Sequence, residues 1–404
     1  MDISAGAEGA RPGRMRFAGE LGDLFGILLR GSLLQIPTFG FYRFWLITDV
    51  RRHLWANTHI GDDALEYTGR ARELLIGFLI ALAVLVPIYL VYFVLAAEAE
   101  RLVAFASVPL FLILYVLGQF ALYRARRYRV TRTILRGVRF WMTGSGWAYA
   151  GRVALWDLLT VLTLGLLYPW RVAALERYKM RNTHFGNLQG DFLGRGATFF
   201  RRAGWIWGIY LLLVALIALL AVESFRLTAG LLLVPAAIAA LLLLPVFLAI
   251  QLRWWLEGVR LGPVAVETTL RTGTVYWCYA KTILIALAYA VVGGIVISMF
   301  FAILMGLAFS LGLFEGMTMS AGNPPPVHYM VAGTVVGGLV YLAFALGFDI
   351  IRRLFLDRGI WAVSADSVTL TNREALDSAI AAGGEVPGGV GEGLLDALDF
   401  GGGV

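Results

Sequence analysis

RRHLWANTHIGDDALEYTGR, residues 51–70, and ERYKMRNTHFGNLQGDFLGR, residues 176–195, are two versions of one plan. A shift of 125 residues aligns them without a gap, and the alignment extends back into the apolar segments that precede them. Leu33, Leu34, Thr38, Gly40, Trp45 and Arg52 fall on Leu158, Leu159, Thr163, Gly165, Trp170 and Arg177. Asn57, Thr58, His59 and Gly61 recur as Asn182, Thr183, His184 and Gly186. A fainter copy at an offset of 75 sets Arg51, Arg52, Thr58, Thr68 and Gly69 against Arg126, Arg127, Thr133, Thr143 and Gly144, without the histidine. RWWLEGVRLGPVAVET from Arg253 and RRLFLDRGIWAVSADSVTLTN from Arg352 follow the plan without close identity.

Each unit reads as a helix end rich in arginine and aromatics, a glycine turn, and a short alternating stretch of strand character such as ALEYTG or AVSADSVTLT. Strands from several units are expected to pair into a small cytoplasmic β layer under the helices. Trp45, Arg51, Arg52, Trp170 and Arg177 are expected to anchor the units at the membrane interface, with ring or stem buried and the polar group at headgroup level.

Composition places the units in a membrane protein: 59% of the 404 residues are hydrophobic, 15% are charged, and the mean hydropathy is +0.76. Apolar runs at 74–97, 102–123, 203–222, 228–250, 282–311 and 329–350 approach or exceed the roughly 20 residues that cross a bilayer. Arginine sorts their connections. Arg124 to Arg139 and Arg171 to Arg202 mark inward segments, whereas the turns at Glu98–Glu100 and Glu223–Arg226 and the stretch Gly312–His328 read as outward. Two further apolar segments, 22–47 and 150–170, have arginine on both flanks and helix interrupters inside, Pro37 and Gly40 in one, Gly165 and Pro169 in the other. The fold class expected is mainly α, a polytopic membrane protein. Six transmembrane helices form three hairpins, two broken segments are re-entrant or interfacial, and short cytoplasmic β-strand modules recur in internal repeats.

On this reading the chain divides into a basic N-terminal tail (1–21), repeat 1 (22–72), helical hairpin 1 (74–123), a basic module (124–149) and repeat 2 (150–196). Helical hairpin 2 (203–250), a module (251–281), helical hairpin 3 (282–350), a last module (351–372) and a disordered tail (373–404) follow. The net charge of +7, gathered beside aromatics, fits the anionic headgroups of membrane lipids as partners. No nucleic-acid module accompanies it, so nucleic acid is not expected as a partner. Cys278 is the sole cysteine, which excludes an internal disulfide and a CxxC site. The opening MDISAGAEGARPGRMRF lacks the apolar core of a signal peptide, so insertion is expected to start from internal segments.

GFYRFW followed by RRHLWANTHIGDDALEYTG, LTLGLLYPW followed by ERYKMRNTHFGN, and the terminal GEGLLDALDF together resemble the YjgN-like family of bacterial inner-membrane proteins, grouped as domain of unknown function 898. The resemblance covers nearly the whole chain. Arg30 stands where the family has a polar uncharged residue, and Ile36 to Phe39 replaces its LTLG in the first copy. The resemblance implies a bacterial cell inner-membrane location, no assigned activity, and a membrane-associated metallopeptidase as a neighbour and partner.

The chemistry in the chain is sparse. His53, His59, His184 and His328 are in no zinc-ligand spacing, and no GxSxG, Walker loop or dinucleotide fingerprint occurs. No catalytic residue, metal or cofactor is assigned, and the chain is not read as an enzyme. Arg30 and Asp157, one in each broken segment, form a candidate intramembrane polar site if the two copies meet about a pseudo-two-fold axis. In the tail, Leu394, Leu395, Leu398 and Phe400 would make a short acidic amphipathic turn that docks on a partner or on the protein's own basic surface, unless the tail is simply solvated. Two functions remain open. One is a membrane scaffold or adaptor acting through its basic modules, and the other is a transporter or channel using the two broken segments.

Overall fold

The computed structural model of the chain describes residues 13–98, 103–310, 327–383 and 388–398. In chain order, β1 (Met15–Phe17) leads into α1 (Leu21–Gln35) and α2 (Arg43–Ala56), then β2 (Thr58–Ile60) and β3 (Asp63–Tyr67). Next are α3 (Ala71–Glu98), α4 (Val103–Thr131), β4 (Thr133–Leu135) and β5 (Val138–Met142). α5 (Gly146–Leu162), α6 (Tyr168–Arg181), β6 (Thr183–Phe185) and β7 (Leu188–Phe192) follow. After α7 (Gly196–Leu219) and α8 (Arg226–Gly258) come β8 (Val259–Leu261) and β9 (Val264–Thr268). The chain continues with α9 (Thr272–Ser310), α10 (Val327–Ile351), a π-helical turn at Arg352–Asp357, α11 (Arg358–Asp366) and β10 (Val368–Thr371). It ends with α12 (Glu374–Asp377) and α13 (Val390–Ala397). Residues 277–360 form one compact unit, and residues 1–276 with 361–404 form another.

All ten strands of the described residues belong to one antiparallel sheet whose spatial order is the chain order. A three-residue strand, a two-residue loop and a five-residue strand make each complete hairpin. The last residue of the long strand pairs with the first residue of the next short one: Tyr67 with Thr133, Met142 with Thr183, Phe192 with Val259, and Thr268 with Val368. Phe17 pairs with Thr58 in the same register. Arg14 bridges Thr369, and the Leu370 amide donates to the Gly13 carbonyl at 2.7 Å. The two ends of the chain thus supply a fifth hairpin, and the meander closes into a near-complete ring. Closure is what makes such short strands viable, since isolated hairpins are marginal in water and open edges invite foreign pairing.

Ile60, Leu135, Phe185, Leu261 and Leu370 hold the third position of the five short strands, and all five belong to one apolar cluster. Val264, Phe140 and Leu65 add to it, and Leu376 of α12 is buried in the same cluster. The ring therefore has a packed, plugged interior. Its loops turn on a first residue with positive φ, +65° at Gly61 and +50° at Gly186, where glycine avoids the Cβ clash; Arg136 takes the position at +54°.

Between successive long and short strands the chain leaves the ring as a helix and returns as a helix. One backbone bond closes the root of every such excursion. Ala18 donates to Asn57 (2.8 Å), Thr68 to Arg132 (2.9 Å), Thr143 to Asn182 (2.8 Å), Leu193 to Gly258 (2.8 Å) and Thr269 to Ser367 (2.9 Å). Six stretches are long and apolar enough to cross a membrane, Ala71–Val94, Ser107–Thr131, Gly196–Leu219, Glu223–Gly258, Thr272–Leu304 and Gly333–Asp366, the pattern of a multi-pass membrane protein. They correspond to the six apolar runs of the sequence.

The segments 22–47 and 150–170 are helix, corner, helix. α1, α2, α5 and α6 have 15, 14, 17 and 14 residues, about 21 to 26 Å at 1.5 Å per residue against about 30 Å of hydrocarbon. Their corners are built alike. The Thr38 hydroxyl donates to Leu34 O (2.6 Å) and accepts from the Tyr42 amide (3.1 Å). Thr163 does the same with Leu159 O (2.9 Å) and the Leu167 amide (3.3 Å). Phe39 and Leu164 take φ of +49° and +50°, and the glycine after each stands near +85°. Threonine and glycine therefore make the break, whereas Pro169 begins the second helix.

Two expectations are corrected. AVSADSVTLT is a strand only over Val368–Thr371, and its first half is the end of α11, because the chain must return to the ring as a helix before pairing. The stretch 373–404, read as a disordered tail, carries α12 and α13, and Leu376 and Leu394 are buried. Its composition hides this because glycine there serves close packing. Residues 1–12 of the N-terminal tail, the outward turn around Glu100 and Phe400 of the terminal motif lie outside the described residues.

The root bond of the α5–α6 excursion makes a topological prediction. In a Cys278→Ser background, single cysteines at Ser145 and Arg181, both exposed, should react with a membrane-impermeant maleimide from the same side of the membrane. Labelling from opposite sides would show that this excursion crosses.

Candidate functional site

α2 and α4 both end at the ring with arginines, and one of these, Arg51, is the most deeply buried charged side chain among the described residues. The Arg51 side chain is 1% exposed. One of its terminal nitrogens donates to the Tyr67 hydroxyl at 3.2 Å, and the other donates to Glu392 Oε2 at 3.0 Å. The second carboxylate oxygen of Glu392 lies 3.2 Å from Arg129 Nε. Burial lowers the pKa of Arg51, but the charges and hydrogen bonds of Glu392 and Tyr67 together outweigh it and hold the guanidinium above its ordinary value.

Glu392 is brought there by α13, which packs between α3 and α4. Leu394 joins Ala81, Leu85, Ala121 and Ala125, with Ala397 and Leu398 beside them. Small residues allow the approach. A Cβ on Gly393 would sit on the backbone of Gly77, one on Gly391 would meet Arg124, and one on Gly389 would meet the carbonyl of Glu73. At the ring end of the slot, Glu73 ties α3 to α4 through Tyr128 (2.9 Å) and Arg132 (2.6 Å).

Asn57 and Asn182 return their side-chain amides to His53 O (2.8 Å) and Tyr178 O (2.7 Å), and the Thr58 and Thr183 hydroxyls bond Leu54 O and Lys179 O. The shared Asn-Thr pair thus satisfies carbonyls left open at the ends of α2 and α6. Gly61 and Gly186 open the hairpin loops that follow. His59 and His184 sit on the first and third hairpins and pair with different strands. His184 stacks on Trp141 with centroids 4.1 Å apart, and burial holds its pKa below the usual range. Among the described residues, no group of three His, Cys, Asp or Glu has the spacing to hold a metal ion.

Arg52 and Arg177 donate to the carbonyls of Gly69 (3.0 Å) and Gly194 (3.3 Å), so each braces the exit from its own hairpin. Trp45 and Trp170 are partly exposed on α2 and α6. Arg51, expected among the interfacial anchors, is instead interior. Arg30 and Asp157 are not brought together: Arg30 is exposed on α1, while Asp157 is bound by Arg171 of α6 and by the Tyr115 hydroxyl of α4.

Position 176 is the counterpart of position 51, and Glu176 is likewise withdrawn from solvent, in contact with Lys179 and with Trp255 Nε1 at 3.0 Å. Burial opposes its charge, yet Lys179 and Arg126 hold the carboxylate below its ordinary range. Sequence reasoning missed Glu392, Arg129 and Glu176 as members of buried ion groups. The signal was an acidic motif at the end of a chain whose helix ends are basic.

A family described as "Bacterial protein of unknown function (DUF898)" matches residues 12–231. No curated protein and no solved structure matches the chain.

Two measurements test this site. Glu392→Leu leaves Arg51 without its counter-ion and should cost about 3 kcal/mol of stability in neutral detergent, whereas adding Arg51→Met to Glu392→Leu should recover most of it. Thermal melts of the four chains of this cycle check it; additive losses would show that the two residues are not coupled. For His184 the folded pKa lies below the ordinary 6.5, so the unfolded chain takes up the proton first as pH falls. The Tm difference between wild type and His184→Phe should be flat above about pH 7 and shift against the wild type as pH drops through about 6.5. A difference independent of pH would contradict it.

Proposed function

We propose that this chain, which belongs to the bacterial family just described, is an inner-membrane scaffold or adaptor. In this reading the five-hairpin ring holds the helical excursions at one face of the membrane and presents basic helix ends to partners. The observation that carries it is the packed ring: Ile60, Leu135, Phe185, Leu261 and Leu370 fill the interior, and Leu376 plugs it. A filled ring supports a structural hub and gives no route through its centre.

The ring side is the cytoplasmic side. Arg51, Arg129, Arg177, Arg181 and Arg253 lie on helix ends that return to the ring, and excess arginine marks cytoplasmic segments. A transporter using the two broken segments has less support, because the carboxylate of Asp157 is already neutralised by Arg171 and capped by Tyr115. A partner docks on the exposed ends of the ring and its helices, because the tail motif is engaged within the chain through Glu392 and Leu394. The family resemblance makes a membrane-associated metallopeptidase the first candidate, and the basic helix ends make anionic lipid headgroups the second contact.

Purification of tagged protein from its native membrane in mild detergent, with co-purifying proteins quantified by mass spectrometry, tests the scaffold. A stoichiometric membrane-protein partner is expected, retained when Asp157→Asn is introduced. Partnerless protein whose reconstituted vesicles carry a solute flux abolished by Asp157→Asn would replace the scaffold by the transporter.

A further inference from the structure

The slot occupied by residues 388–398 has two chemically different ends. Its mouth, at the ring ends of α2 and α4, is lined by Arg51 and Arg129, which together hold one carboxylate, while the Tyr67 hydroxyl accepts from the other terminal nitrogen of Arg51. Its floor is apolar and lies deeper, where Leu394 packs on Ala81, Leu85, Ala121 and Ala125. Ala81 is ten residues into α3, about 15 Å along the helix. It falls within Ala71–Val94, and Ala121 falls within Ser107–Thr131, both stretches that are long and apolar enough to cross a membrane. The slot therefore runs from a cation-lined mouth to hydrocarbon depth.

The occupant meets both demands with few groups, one carboxylate and a short row of leucine and alanine on an eight-residue helix. Without it, Arg51 would lose its carboxylate and keep the Tyr67 hydroxyl, beside a second guanidinium whose like charge is no longer offset. An open slot with two guanidiniums side by side consequently favours another anion. The molecule at hand beside two membrane-crossing helices, with an anionic oxygen cluster at one end and hydrocarbon at the other, is an anionic phospholipid.

We propose that the slot between α3 and α4 is a binding site for an anionic phospholipid, and that residues 388–398 are its built-in competitor, with the carboxylate of Glu392 standing where the phosphate would sit. Lipid and tail exclude one another, so the position of α13 reports the anionic lipid content of the surrounding leaflet. The proposal does not depend on the scaffold reading.

The test uses the full chain. Gly393→Leu places a side chain against the Gly77 backbone and should expel α13 from the slot; Glu392→Gln removes the competing charge and serves if the first variant does not fold. Each protein is equilibrated with mixed phosphatidylglycerol and phosphatidylcholine vesicles, extracted, and its bound lipids are counted by native mass spectrometry. One more phosphatidylglycerol per chain than in wild type is expected, lost again when Arg129→Gln is added, with phosphatidylcholine unchanged. Inorganic phosphate in excess should leave that lipid in place. No additional lipid in either variant, an equal gain of phosphatidylcholine, persistence with Arg129→Gln, or displacement by inorganic phosphate would each overturn the proposal.

Discussion

One backbone hydrogen bond, repeated five times, governs this fold. At each root, the residue just past one strand donates to the residue just before the next: Ala18 to Asn57, Thr68 to Arg132, Thr143 to Asn182, Leu193 to Gly258, and Thr269 to Ser367. Whatever the chain does between the two, it must begin and end at the same place on the ring. Helix length is thereby decoupled from topology. α3 with α4 can be long enough to cross a membrane twice, and α1 with α2 can turn back after 15 residues, without changing the register of any strand. That freedom explains why the segments 22–47 and 150–170 carry arginine on both flanks: both flanks belong to the ring.

Because the helix ends meet the ring at equivalent places, their side chains fall into equivalent slots, and the chemistry of a slot is set by its neighbours. Residues 51 and 176 are such a pair. One is an arginine neutralised by a carboxylate from the end of the chain, and the other is a glutamate neutralised by Lys179 on its own helix. A withdrawn ion persists only when a counter-ion is within reach. The position is thus indifferent to sign but not to pairing. The tail is drawn into the fold by this requirement, and its glycines let the backbone of α13 lie against α3 closely enough to deliver Glu392.

The sequence made some of this legible and not the rest, for physical reasons. Six apolar runs stand out because hydrocarbon demands length and composition that can be counted residue by residue. The break after Thr38 and Thr163 was visible through glycine, although the threonine hydroxyl that serves both helices was not, since its role depends on corner geometry. NTHxG announced a turn, and local bonds from Asn57 and Asn182 are what it makes. The ring itself was out of reach. Its strands of three and five residues are too short to carry a periodic signal, and closure between Arg14 and Thr369 joins residues from opposite ends of the chain. Arg51 was misread as an interfacial anchor because an arginine at the end of an apolar helix looks the same whether it faces headgroups or a carboxylate contributed 341 residues later.

A packed ring with closed roots also constrains where change can occur. The strands share one apolar interior, so moving one hairpin would open a cavity against Phe185 or Leu135 and expose paired backbone. Neighbouring excursions meet in smaller buried clusters, α2 with α3 and α4, α4 with α5 and α6, and α6 with α7 and α8, and the stretches long enough to cross a membrane expose most of their side chains. α13 differs from both: it pairs with no strand, lies outside the ring interior, and is held by one ion group, one apolar cluster and close backbone packing on α3 and α4. The paired strands and the root bonds therefore do not depend on it.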